Sequence, residues 1–170
     1  WALSDDTALM KRINAPSAIS ADGKSVTMQS VNLAYQEDGR KFVWQNTGKA
    51  ASASLTYANA TELTELISNK YLQMRVRLDQ AAVAEVKIAV MCQQNRCLNA
   101  AIMQSLLQNM SPGKWYSIAL PVQCDSKLPA AFVAEEAVRF STTQPFSLAV
   151  ADIALVNTVQ PSAMVLECGQ

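Results

Sequence analysis

The sequence contains no histidine. This absence excludes every site that depends on an imidazole: Ser-His-Asp and Cys-His catalysis, His-ligated zinc and histidine-based pH switching. A serine or cysteine nucleophile would therefore lack its usual base. Glycine is also scarce, with 5 residues, all isolated, so there is no glycine-rich loop to hold a phosphate group. The composition argues against catalysis by this chain.

Long apolar runs and clusters of one charge are missing as well. The longest apolar stretches, such as residues 81–84, are too short to span a bilayer. The 14 basic and 14 acidic residues cancel, and no basic stripe is present. We therefore expect neither nucleic acid nor membrane as a partner.

Acidic residues occur in adjacent pairs, namely Asp5 with Asp6, Glu37 with Asp38 and Glu135 with Glu136. Glycoside hydrolysis needs two carboxyl groups that flank one bond. Neighbours on a strand point to opposite faces, so such a pair does not flank a bond. Solvated surface carboxylates are the favoured interpretation.

What is present predicts a globular domain. The 170 residues are 50% hydrophobic and 16% charged, enough for one core of proper size. We expect one domain over residues 1–170. Because the chain starts at Trp1 with neither Met nor a signal peptide, we expect a processed form or a C-terminal piece of a larger protein.

The four cysteines, Cys92, Cys97, Cys124 and Cys168, are an even number. Their spacing fits neither a zinc site nor the C-x-x-C of thiol exchange. Of the three possible disulfide pairings, Cys92–Cys97 with Cys124–Cys168 fits best, because the first closes a turn and the second ties the tail to a strand end. Two disulfides predict a periplasmic, cell-surface or secreted protein.

Alternation of polar and apolar residues predicts short antiparallel strands with one wet face. The predicted strands are residues 25–33, 40–44, 53–57, 74–78, 85–90, 115–122, 138–142 and 146–150. Turn signals such as Asp22-Gly23 and residues 111–113 separate them. Helical patterns are confined to residues 61–67 and 98–110. The predicted fold is an all-β antiparallel sandwich or jelly roll with one or two short helices.

Several of these segments occur in an order typical of one family. They are residues 36–44, 74–78, the Cys92–Cys97 loop, residues 115–124 and residues 146–155. In this order the chain resembles the C-terminal galactose-binding-like domain of bacterial exo-1,3/1,4-β-glucanases and β-glucosidases of glycoside hydrolase family 3. The resemblance implies a jelly roll attached to upstream catalytic domains, which hold the catalytic carboxylates and would be its partners.

Aromatic residues make up only 6% of the chain, but sugar-binding modules stack pyranose rings on exposed aromatic faces. The candidates for binding β-glucan are Trp115, Tyr116 and Trp44. Trp115 and Tyr116 have opposite parity on one strand, so one of them should face outward. Burial in the core is the competing interpretation for Trp44 and Trp115.

Many jelly-roll carbohydrate modules also hold a structural calcium ion through oxygen ligands of the first and last strands. Asp152 lies at such a last-strand position, and Asp5 and Asp6 near the start of the chain could join it. Ordinary surface aspartates are the competing interpretation.

Three functions follow in order of preference. The first is a non-catalytic accessory domain of a secreted β-glucan-degrading enzyme. The second is a carbohydrate-binding module that delivers such an enzyme to β-glucan. An independent enzyme is the least favoured, because the sequence offers no nucleophile with a base.

Overall fold

A computed structural model describes residues 17–19, 25–33, 39–45, 48–62, 70–81, 85–94, 96–124 and 132–168, with the backbone alone for 17–19 and 57–62. These residues form two β-sheets, one of five strands and one of six. The prediction of an all-β sandwich is confirmed.

The five-stranded sheet has the order β1-β4-β9-β6-β7, and all its strands pair antiparallel. Its strands are β1 (Ser17–Ile19), β4 (Ala51–Glu62), β6 (Lys87–Gln93), β7 (Arg96–Ile102) and β9 (Val133–Thr142).

The six-stranded sheet has the order β11-β8-β5-β10-β3-β2. Its strands are β2 (Val26–Val31), β3 (Gly39–Trp44), β5 (Tyr71–Arg77), β8 (Trp115–Pro121), β10 (Phe146–Val156) and β11 (Met164–Val165). The short β11 runs parallel to β8, whereas the other neighbours are antiparallel.

The two sheets enclose one apolar core, and β5 shows how the sequence builds it. Leu72, Met74 and Val76 are fully buried, while the residues between them are partly exposed. This alternation follows from the two-residue period of a strand. Each fully buried side chain of this kind stabilises the fold by about 1.5–3 kcal/mol.

The helix predicted for residues 98–110 is wrong over its first half. Residues 98–102 belong to β7, and the helix α1 (Gln104–Leu107) has four residues. The inward side of β7 carries Asn99, whose side-chain amide donates to the carbonyl oxygen of Pro121 (2.7 Å). The strand has a polar residue on its inner face and the exposed Ile102 on its outer face. For this reason its sequence does not show the alternation of polar and apolar residues that identifies a strand.

The second predicted helix, residues 61–67, begins inside a strand, since Thr61 and Glu62 end β4. Its remaining residues lie outside the described part of the chain. Among the described residues, no helix is long and apolar enough to cross a bilayer.

Both predicted disulfides are present. Cys92 and Cys97 are directly paired across the β6–β7 hairpin, with Cα atoms 4.1 Å apart. Cys124 and Cys168 join the end of the β8 segment to the C-terminal tail, with Cα atoms 5.4 Å apart. Both bridges therefore fix the ends of β-structure, and no cysteine is free.

Candidate functional site

The outer face of the six-stranded sheet carries a continuous row of side chains across five strands. Trp115 on β8 is the register partner of Arg77 on β5, which is opposite Ala149 on β10. Ala149 is in turn opposite Lys41 on β3, which faces Gln29 on β2. We call these five residues the Trp115 row. With strands about 4.8 Å apart, the row is about 19 Å long.

An aromatic ring and an arginine form one end of the Trp115 row. The Arg77 guanidinium lies over the Trp115 ring, 5.1 Å from its centroid. Such a cation–π contact is worth about 0.5–1 kcal/mol at an exposed site. The contact occupies one side of the indole, and the side chain is partly exposed, so a sugar ring would have to contact the part that Arg77 does not cover.

Asp79 joins the two cations of the row. Its carboxylate accepts a hydrogen bond from Arg77 Nε (2.9 Å) and forms an ion pair with Lys41. Partial burial raises the pKa of Asp79, but the hydrogen bond from Lys41 and the charges of Arg77 and Lys41 outweigh it, so the pKa lies below its ordinary value. The network therefore spans from β3 to β5 across Ala149, which is 1% exposed.

A cavity of about 300 Å³ opens beside Lys41. Its wall includes Val43, Gln80 and the half-buried Phe146. Charged and amide groups thus meet an apolar surface beside Lys41, three strands away from Trp115. This mixture suits a ligand with both hydroxyl groups and apolar faces.

The structure places Trp115 outward and Tyr116 inward. Tyr116 packs against the core, and its hydroxyl oxygen accepts a hydrogen bond from the backbone N–H of Ser111 (2.9 Å). That hydrogen bond lowers the pKa of Tyr116, since it favours the phenolate. Of the two neighbours, Trp115 lies on the outer face of the sheet, although both side chains are partly exposed.

Trp44 offers almost no face for stacking, although it lines the cavity beside Lys41, and its selection as a sugar-binding residue stays a prediction. Its side chain is 1% exposed and packs between Phe42 and Phe146, with ring centroids 6.2 and 5.8 Å away. Its indole Nε1–H donates to the carbonyl oxygen of Ala51 (3.0 Å). Trp44 is a core residue that also links β3 to β4.

Of the predicted calcium ligands, Asp152 lies in β10 and Asp5 and Asp6 lie outside the described residues. Asp152 has a φ of 57°, and the register between β10 and β5 shifts between Ala151 and Ala154. A bulge of this kind redirects side chains. In the described ranges, no three acidic or cysteine side chains come close enough together to hold a metal ion.

Sequence reasoning missed Arg77, Asp79 and Lys41. The alternation of residues 74–78 does place Arg75 and Arg77 on the wet face of their strand. It does not reveal that this strand lies one step from β8 and two from β3. The register, and with it the assembly of the row, depends on tertiary pairing.

Over residues 1–155, the chain matches the family model Exop_C, described as a galactose-binding domain-like family. It is 35% identical to the extra C-terminal domain (X) of the exo-1,3/1,4-β-glucanase ExoP from a Pseudoalteromonas species, with a TM-score of 0.74. That match covers 92% of this chain and 84% of the domain. No curated protein gives a significant match.

The match to the whole ExoP enzyme (36% identity, TM-score 0.75) covers 91% of this chain but 18% of the enzyme. The fold is also similar to a family 11 carbohydrate-binding module from Clostridium thermocellum, solved with a β-1,3-1,4-mixed-linked tetrasaccharide. That likeness covers 88% of this chain and 96% of the module at 10% identity, with a TM-score of 0.57. At 10% identity this likeness supports the fold alone. The galactose-binding-like assignment comes from the family model.

Proposed function

Because the chain belongs to the Exop_C family of galactose-binding-like domains, we propose that it is a non-catalytic accessory domain of a β-glucan-degrading enzyme of glycoside hydrolase family 3. The observation that carries this proposal is the match to 84% of an extra C-terminal domain of an exo-β-glucanase, which covers 92% of this chain. The carboxylates that cleave the glucan would then lie in catalytic domains upstream in the same protein.

The chemistry of the chain agrees with an accessory role. It has no histidine, and its half-exposed charged groups on the outer sheet face are joined in an ion-pair network. Such groups hold and orient surfaces or ligands. In this role the domain docks on the catalytic domains and stabilises them.

The test begins with the sequence that precedes Trp1 in the gene. A family-3 catalytic barrel is expected there, and its absence would overturn the proposal. The complete enzyme should then be compared with a form that lacks residues 1–170. We expect the shortened form to melt at a lower temperature and to hydrolyse mixed-linkage β-glucan with a lower kcat/KM. Equal melting temperatures and equal kcat/KM would contradict the supporting role.

A second candidate function is β-glucan binding by the domain itself, and the Trp115 row favours it. The row offers an aromatic face, a fixed pair of cations and a carboxylate within about 19 Å of sheet. Hydroxyl groups of a glucan would bind to Arg77, Asp79 and Lys41, while an apolar sugar face would pack on Trp115. On this view the domain delivers the enzyme to its substrate.

The binding candidate is tested by calorimetry or affinity electrophoresis of the 170-residue chain with soluble β-1,3/1,4-glucan. We expect Trp115→Ala to weaken binding about tenfold, because the variant loses one stacking contact and the apolar area that this contact buries. Lys87→Ala, a charge change on β6 of the other sheet, is the control and should bind normally. Lack of binding at millimolar sugar would leave the supporting role alone.

We also propose that the parent enzyme is exported. Two disulfides within 170 residues favour an oxidising compartment such as the periplasm, the cell surface or the medium. Mass mapping of the enzyme taken from its native host should find both bridges. Free thiols at these four positions would contradict export.

A further inference from the structure

A second cavity lies at the opposite end of the six-stranded sheet, where β5 begins and β8 ends. Its volume is about 370 Å³, and its wall includes Lys70, Tyr71, Gln123 and Glu167. The cavity is distinct from the Trp115 row. From Tyr71 to Arg77 the strand β5 advances six residues, which is about 20 Å.

A side-chain bridge separates the two sites. Gln160, in the connection between β10 and β11, accepts a hydrogen bond from Ser117 Oγ (3.4 Å) and donates its backbone N–H to the side-chain oxygen of Gln73 (3.1 Å). Gln73 and Ser117 lie on the outer face of β5 and β8, between Tyr71 and Trp115. The bridge therefore lies on the sheet surface between the cavity and the row.

The wall of the cavity has the chemistry of a neutral sugar site. Tyr71 is half exposed and lies opposite Pro121, so the two offer an apolar platform for the C–H face of a pyranose ring. Lys70 supplies N–H donors, Glu167 supplies acceptor oxygens, and Gln123 can do both. The one cation and one anion cancel, which argues against a charged ligand.

The Cys124–Cys168 disulfide fixes this wall. Gln123 directly precedes Cys124, and Glu167 directly precedes Cys168. Two backbone hydrogen bonds flank the bridge: Val122 N–H donates to Lys70 O, and Leu166 N–H donates to Ala119 O, both at 2.9 Å. The backbone on both sides of the cavity is thus held in place before a ligand arrives, which reduces the entropic cost of binding.

We propose that this disulfide-fixed cavity, here called the Tyr71 pocket, is a second saccharide site that takes a short, neutral sugar. This second site is separate from glucan binding at the Trp115 row, and the proposal does not depend on binding at the row. In this arrangement the Cys124–Cys168 bridge has a binding role in addition to its contribution to stability.

The probe is a ¹⁵N-labelled sample of the 170-residue chain titrated with cellobiose and, separately, with laminaribiose, followed by amide chemical shifts. We expect saturable shifts at the backbone amides of Lys70, Tyr71, Gln123 and Glu167. Tyr71→Ala should weaken binding at this pocket about tenfold. Glu167→Gln should weaken it several-fold, whereas Glu135→Gln, on the exposed side of β9, should not.

The disulfide gives a matched pair of variants. Removing the bridge by Cys124→Ser with Cys168→Ser should weaken binding at the Tyr71 pocket. Removing the other bridge by Cys92→Ser with Cys97→Ser should leave that affinity unchanged. Trp115→Ala should also leave it unchanged, which distinguishes this pocket from the row. The proposal is overturned if neither disaccharide shifts the four amides at tens of millimolar, or if Tyr71→Ala binds as tightly as the unaltered chain.

Discussion

Trp44 and Trp115 are the same residue type on strands of the same sheet, and their neighbours give them opposite roles. Trp44 is enclosed by Phe42 and Phe146 and satisfies its indole N–H within the fold. Trp115 lies on the outer face, where Arg77 covers part of its ring. Burial of the first stabilises the fold, whereas the second stays partly exposed on the sheet surface.

Trp44→Phe should lower the free energy of unfolding by about 2–4 kcal/mol. The substitution leaves the buried Ala51 carbonyl oxygen without its donor and opens space in the core. Trp115→Phe, the matched control, should cost less than about 1 kcal/mol, since the residue is half exposed. Urea denaturation of both variants measures the difference. Equal losses would contradict the assignment of the two residues to core and surface.

At the scale of strands, the sequence predicts most of β2, β3, β5 and β8. In β5 the reason is plain, because its inward residues are apolar and its outward residues are mainly polar. The prediction fails for β7, where Asn99 faces inward and Ile102 outward. A hydrogen bond to a strand of the other sheet, seen only after folding, compensates for the buried amide. The Trp115 row could not be predicted either, because its members come from five separate strands.

The ion-pair network around Asp79 predicts a pH-dependent contribution to stability. The pKa of Asp79 is lower in the folded protein than its ordinary value. Its contribution is therefore fully present above the unfolded pKa of about 3.9 and is lost as the pH falls through the folded pKa. Asp79→Asn should destabilise the chain at neutral pH by about 0.5 kcal/mol, since the pair is partly exposed.

Near pH 3, which is within about one unit of the ordinary pKa of an aspartate, the same substitution should lower the free energy of unfolding by less. Urea midpoints of the unaltered chain and the variant at the two pH values give the comparison. Glu135→Gln removes a carboxylate outside the network and controls for net charge. If Asp79→Asn destabilises the chain equally at both pH values, the network does not contribute in this way.

The two disulfides close loops of very different length, with sequence separations of 5 and 44 residues. On the loop-entropy model, their removal should lower the free energy of unfolding by about 2 and about 4 kcal/mol respectively. Denaturant unfolding of the two Cys→Ser pair variants tests this order. A larger loss for the Cys92–Cys97 pair would show that native contacts of the hairpin outweigh loop entropy.

For the molecule as a whole, the family and the all-β architecture could be recognised from the order of strands and cysteines alone. The relation of the two sheets could not, because it depends on which strands pair. β10 lies between β3 and β5 although these strands are distant from it in sequence. The same long-range pairing that builds the core brings Trp115, Arg77 and Lys41 together on one face.

The predicted calcium ion would act at this scale, since Asp5 and Asp6 come from the start of the chain and Asp152 from its last long strand. Asp152 occupies a left-handed backbone conformation at a bulge, which an aspartate tolerates better than most residues. Calcium requires six to eight oxygen ligands. A site shared between both ends of the chain would resist unfolding of the whole domain.

Calcium at about 100 times its Kd would stabilise the domain by about 2.7 kcal/mol. For a domain of this size, that corresponds to a rise in Tm of roughly 5–10 °C. Removing calcium with a chelator should therefore lower the Tm by this amount, and re-added calcium, but not magnesium, should restore it. Asp152→Asn should abolish the dependence, as should Asp5→Asn with Asp6→Asn if those residues complete the site. A Tm that is unchanged by chelator would eliminate the calcium site and leave Asp152 as a residue of the bulge alone.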